Sequence, residues 1–127
     1  NILYIRDLLK EYPGEVLRLS LLSSHYRQPL NLTDDTLRQA QSVLDRFYRN
    51  LKKNELVEIY SNPLEYLPES FLSALCDDLN TSKAIASMNE ISKKLSLADE
   101  CDKKELKTQL IGSGYVLGIL QKKPYTL

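Results

Sequence analysis

From Leu37 to Leu51 the apolar residues return at steps of three and four: Leu37, Ala40, Val43, Leu44, Phe47, Tyr48 and Leu51 fall along one face of a helix. A half-buried strand alternates by two, so this stretch admits a long helix with a single buried stripe and little else. Thr33-Asp34-Asp35 supplies its start, with a hydroxyl able to accept from the first turn and two carboxylates at the positive end of the helix dipole. The helix is expected to run to about Lys53. Arg38, Asp45, Arg49 and Lys52 fall on its solvent face.

The helical period recurs on both sides of it. Ile2 to Tyr4 is short enough to be extended, Arg6 to Tyr12 reads as a helix ended by Pro13-Gly14, and Glu15 to His25 carries Val16, Leu17, Leu19, Leu21 and Leu22 over a wide face. That breadth predicts the most buried helix of the chain. Asn54 to Pro63 has no period and reads as a linker. A helix opening near Pro68 presents Phe71, Leu72 and Leu75 and breaks at Asp77-Asp78-Leu79-Asn80. Asn80 or Thr81 then caps a helix that buries Ala84, Ile85, Met88, Ile91 and Leu95. The last helix spans roughly Asp102 to Gln121 and is ended by Pro124; within it Gly112, Gly114 and Gly118 lower helicity but let a neighbour approach closely. The fold class is mainly all-α: an antiparallel helical bundle over 33–127, preceded at 1–32 by a small helical segment with room for short strands.

A chain of 127 residues with 43% hydrophobic content suits one compact domain. Its 17 basic and 17 acidic residues cancel, so no overall positive field draws it to nucleic acid. The charge is nevertheless uneven. Up to Lys53 there are nine basic and six acidic residues, and beyond it eight and eleven, which leaves +3 and −3. All six arginines, Arg6, Arg18, Arg27, Arg38, Arg46 and Arg49, lie before Lys53, so planar bidentate contacts belong to the first part alone. Cys76, Cys101 and the single His25 form neither a disulfide scaffold nor a closed zinc site, which fits a reduced cytoplasmic compartment. No apolar run approaches a membrane span, and the start at Asn1, without Met, suggests a piece of something larger.

Few residues carry chemistry. His25 beside Ser24 lacks an orienting carboxylate in sequence and reads as a structural hydrogen-bonding residue. Asp77-Asp78 reads as a helix end leading into a cap rather than as a cation site. Gly112-Ser113-Gly114 has neither the preceding strand nor the spacing of a phosphate loop. Arg38, Arg46, Arg49, Lys52 and Lys53, with Tyr48 among them, suit a phosphate backbone. They also suit a solvated face on which Arg38 or Arg49 pairs with Asp45 or a neighbouring acid, and spacing alone leaves both readings open.

A family resemblance goes further. Leu21-Leu22-Ser23-Ser24-His25-Tyr26-Arg27-Gln28-Pro29-Leu30-Asn31 resembles the Leu-Leu-Ser-x-His-Tyr-Arg-x-Pro-Leu-Asn run of cysteinyl-tRNA synthetases. Glu15-Val16-Leu17-Arg18 stands where that family has the Asp-Ala-Leu-Arg motif of its anticodon-binding domain, with Glu and Val replacing Asp and Ala. Asp77-Asp78-Leu79-Asn80-Thr81 is similar to the family's Asp-Asp-x-Asn-Thr-Pro element, with Ser82 in place of Pro. Leu117-Gly118-Ile119-Leu120-Gln121 is similar to its Leu-Gly-Leu-Leu-Gln ending.

The resemblance implies a parent enzyme that activates cysteine with ATP, carries zinc in its cysteine-selecting site and transfers the amino acid to tRNA. It places the catalytic domain before Asn1, so this chain alone is expected to be non-catalytic and to need neither cofactor. Its own share is then to join that domain to the bundle through residues 1–32 and to support the tRNA specific for cysteine, without binding DNA or membrane. Arg27, Arg38, Arg46, Arg49, Lys52 and Lys53 are the expected phosphate contacts; Arg18, His25, Tyr26, Asn31, Asp77, Asp78 and Asn80 are the motif residues expected to be structural. Other readings are the helical region of the related cysteine ligase of mycothiol synthesis, the anticodon domain of another synthetase, and a helical interaction module with no RNA role.

Overall fold

The computed structural model describes residues 10–24, 32–77 and 79–121. Five α-helices lie wholly within the described residues: α1 (Gly14–Ser23), α2 (Asp34–Lys53), α3 (Glu69–Cys76), α4 (Thr81–Leu97) and α5 (Glu100–Leu117), with a 3-10 turn at Pro63–Tyr66 between α2 and α3. Among the described residues there is no strand. Ile2 to Tyr4 and most of the expected first helix lie outside them, although Lys10 and Glu11 are helical.

Local chemistry accounts for the boundaries. Thr33 caps α2 reciprocally: its hydroxyl accepts from the Thr36 amide at 3.2 Å, and the Thr36 hydroxyl accepts from the Thr33 amide at 2.9 Å. Asn80 caps α4 by accepting from the Lys83 amide at 3.1 Å. The last helix ends earlier than its sequence suggests. Leu117 closes α5 because Gly118 turns left-handed (φ 75), the Ile119 amide returns to the Gly114 carbonyl at 2.8 Å, and the Gly118 amide to that of Tyr115 at 3.2 Å. Ile119 and Leu120 then fold back into the core, so Gly118 is the stop signal and not an interior helix residue. Pro124 lies outside the described residues.

Helix α1 runs antiparallel to α2, its start meeting Tyr48 through Glu15 and its end lying beside Thr36 and Gln39. Helices α3 and α4 are antiparallel, joined by the Ser70–Ser87 hydroxyl pair at 2.7 Å and by Lys83 donating to Asp77 at 3.0 Å. Two residues, Ala98 and Asp99, separate α4 from α5, which returns along it. Neighbours α2 and α4, by contrast, run parallel. Gln39 and Val43 share a hollow with Ser82 and Ala86, and further along both helices Asn50 bonds Ser92, because the segment 54–68 and α3 carry the chain back before α4 begins.

A single apolar core takes residues from all five helices, with Leu19, Leu37, Phe47, Phe71, Met88, Leu95 and Leu110 fully enclosed. Burying side chains of this size stabilises by about 1.5–3 kcal/mol each. Helix α1 is not buried on every side: Val16, Leu17 and Leu19 face inward, but Arg18 and Leu21 are exposed. Leu72 and Val116, also expected to face the core, are exposed.

Candidate nucleic-acid interface

Helix α2 projects its basic residues on the side opposite Leu37, Leu44, Phe47 and Leu51. Arg38, Arg46, Arg49, Lys52 and Lys53 are all exposed. Steps of three and four align Arg46, Arg49 and Lys53 in one stripe on the flank that faces α4. Asn50, one turn from Arg46, holds that flank against α4 by donating its amide to the Ser92 carbonyl at 3.1 Å and to the Ser92 hydroxyl.

The two parallel helices therefore enclose an open groove of about 530 Å³, lined by Arg46, Arg49 and Lys53 from α2 and by Lys93 and Glu90 from α4. Four cations face one carboxylate. Among the described residues none of Arg38, Arg46, Arg49, Lys52 and Lys53 makes an ion pair, so the alternative pairing of Arg38 or Arg49 with Asp45 does not occur. Fixed cations without internal partners keep their donors for an external anion. Arg38 stands further along α2 in a shallower hollow that it shares with Arg46 and Gln39. Lys52 is outside both grooves.

The motif residues do different work. Glu15 accepts from the Tyr48 hydroxyl and, at 3.3 Å, from the Gln121 amide. Arg18 lies against Gly118, where a Cβ would run into its guanidinium. The Glu15–Arg18 motif thus grips the Leu117–Gln121 motif from across the bundle. Similarly, the Thr81 hydroxyl donates to the Leu22 carbonyl at 2.6 Å, joining two further motif segments. Asp77 ends α3 and is exposed, paired with Lys83. Arg27, His25, Tyr26, Asn31 and Asp78 lie outside the described residues.

Sequence reasoning passed over Lys107. Its ammonium is buried and donates to the carbonyls of Val57 at 2.7 Å and Asn54 at 2.8 Å, closing the C-terminal end of α2 and anchoring the linker. Burial pushes its pKa below the usual lysine value, and Glu55 pulls partly the other way. Nothing in the spacing marks it off from Lys103 or Lys104. Among the described residues no three His, Cys, Asp or Glu side chains converge. Cys76 and Cys101 are free and exposed. No helix of the described residues is long and apolar enough to cross a membrane.

The family model for the tRNA synthetases class I (C) catalytic domain matches residues 1–42, and that for the DALR domain matches residues 70–121. A cysteine–tRNA ligase of Parvibaculum lavamentivorans is 42% identical over 126 residues, covering 98% of this chain and 26% of the relative. One of Rhodospirillum rubrum is 40% identical over 125 residues, covering 98% and 27%. One of Xanthomonas campestris pv. campestris is 40% identical over 125 residues, covering 98% and 26%. The chain spans about a quarter of the length of these curated relatives.

Proposed function

Since the chain belongs, as a segment, to the cysteine–tRNA ligase family, we propose that it is the helical part of such an enzyme that supports and positions tRNA specific for cysteine. The observation that carries this reading is the groove between α2 and α4, where Arg46, Arg49, Lys53 and Lys93 converge without internal ion pairs. Guanidinium forks match phosphate oxygens, and an open channel between helices accepts a polyanionic strand without rearrangement. Arg38, Lys52 and Arg27 extend the contact.

On this reading residues 1–32 join the bundle, 33–127, to the remainder of the catalytic domain, which attaches cysteine to tRNA with ATP and holds the zinc. The bundle itself holds the RNA and does no bond chemistry. Cytoplasmic residence follows from that role and suits two unpaired, exposed cysteines. Because the net charge is zero, attraction is local and the isolated chain binds weakly.

Titration of the chain with tRNA specific for cysteine, and with an unrelated tRNA, at low and then physiological salt tests the proposal. The expected result is weak binding with steep salt dependence and little discrimination. Absence of binding at low salt rejects the RNA-supporting role.

A further inference from the structure

Asn89, which lines the cationic groove, also lines a second hollow of about 370 Å³ nearer the start of α2 and α4. Among the described residues no charged side chain borders this second part. It is bounded by hydroxyls, Ser23, Ser24, Thr36 and Ser82 among them, by the two amides Gln39 and Asn89, one on each parallel helix, and by the apolar Ala40, Val43, Ile85 and Ala86.

Several of the hydroxyls are engaged by the protein itself. Ser23 donates to the Leu19 carbonyl at 2.7 Å, Ser82 to the Asn80 side chain at 2.8 Å, and Thr36 belongs to the α2 cap. The side-chain amides of Gln39 and Asn89 make no hydrogen bond among the described residues. Each therefore offers one acceptor and two donor hydrogens into the groove. A channel selected only to follow phosphates continues its cations. Two neutral amides match a ligand that is itself neutral, polar and both donor and acceptor.

We infer that the groove between α2 and α4 is a ribose–phosphate track, its Arg46–Arg49–Lys53–Lys93 end taking phosphates and its Gln39–Asn89 end bonding ribose 2′-hydroxyls of the same RNA strand. This rests on the RNA-supporting reading above and adds to it the residues that distinguish RNA from other polyanions. The 2′-hydroxyl is donor and acceptor at once, as an amide partner requires. Fourteen residues of α2 separate Gln39 from Lys53, about 21 Å of helix, which spans several nucleotides.

The test uses the 127-residue chain with an RNA hairpin and with the same hairpin carrying 2′-O-methyl groups, which keeps the charge and removes the hydroxyl donors. The chain is expected to prefer the hydroxyl form by about fivefold, the worth of one neutral hydrogen bond. The Gln39→Ala/Asn89→Ala variant loses that preference while keeping its salt dependence. Arg46→Ala/Arg49→Ala weakens both hairpins alike and keeps the preference. Circular dichroism confirms that each variant retains its helices. A wild-type chain that binds both hairpins equally, or an amide variant that keeps the preference, overturns the inference and leaves the phosphate contacts standing. A wild-type chain that binds neither hairpin overturns both readings.

Discussion

The hydroxyl of Tyr48 donates to both carboxylate oxygens of Glu15, at 2.8 and 2.9 Å, and so locks α1 onto the middle of α2. Tyr48 is 2% exposed, which means that its hydroxyl has no solvent to fall back on. Glu15 also receives the Gln121 amide, so one carboxylate holds three parts of the chain together.

Removing the Tyr48 hydroxyl alone, in Tyr48→Phe, leaves the ring packing intact and deprives the Glu15 carboxylate of one of its two donors. The expected loss is about 1.5 kcal/mol of unfolding free energy, readable by urea titration at unchanged slope. Glu15→Gln, which keeps an acceptor, loses less. Equal stability of Tyr48→Phe and wild type contradicts this account of the contact.

Lys107→Met preserves the apolar stem and strands the carbonyls of Asn54 and Val57, which predicts a loss of about 2 kcal/mol at neutral pH. The pH dependence has a defined sign. Burial lowers the native pKa of Lys107 below 10.5, so between that lowered value and the unfolded one the unfolded chain binds more protons. The penalty for holding the charge is fully present below that window and is relieved as pH rises through it. Wild type should therefore gain on Lys107→Met as pH climbs toward 10.5, measured as the difference of their denaturation midpoints.

Gly112→Ala sets two effects against each other. Alanine raises helix propensity by about 1 kcal/mol, but its Cβ lands 2.6 Å from the Pro63 carbonyl oxygen and 3.1 Å from the carbonyl carbon. Backbone cannot rotate aside as a side chain can, and overpacking of this kind costs about 1–3 kcal/mol. The clash should win, lowering Tm; a higher Tm means that the Pro63–Tyr66 turn yields freely.

For RNA binding, Arg46→Ala/Arg49→Ala should reduce the slope of log K against log salt by roughly 1.5, the share of two lost phosphate contacts. Glu90→Gln removes the one carboxylate of the same groove and should move affinity the other way. If the double arginine variant keeps the wild-type slope, the phosphates are held elsewhere on the molecule.

The helices of this chain were readable because their signals are local. The period from Leu37 to Leu51, the Thr33 cap and the Asn80 cap each need only a few neighbouring residues, and all appear where the spacing puts them. Gly118 was misread as part of a helix because its role depends on Ile119 and Leu120 having a core to enter, which no window on the sequence contains. Leu21, Leu72 and Val116 were misplaced for a related reason: an apolar residue is buried only where another element covers it. The basic residues of α2 were identifiable as a group, yet not as members of one groove, since Lys93 joins them from a helix that begins 28 residues after α2 ends.

By itself the sequence determined that this protein is helical, where most of its helices begin and which face of α2 meets the core, because propensity, capping and period act within a turn or two of the chain. Tertiary structure alone decided that α2 and α4 lie parallel, that Lys93 joins Arg46, Arg49 and Lys53 in one groove, that Lys107 is buried while its neighbours Lys103 and Lys104 are not, and that Glu15 and Arg18 meet Gln121 and Gly118. Those outcomes depend on which surfaces pack together across long stretches of chain, and packing is a property of the whole core, not of any segment in it.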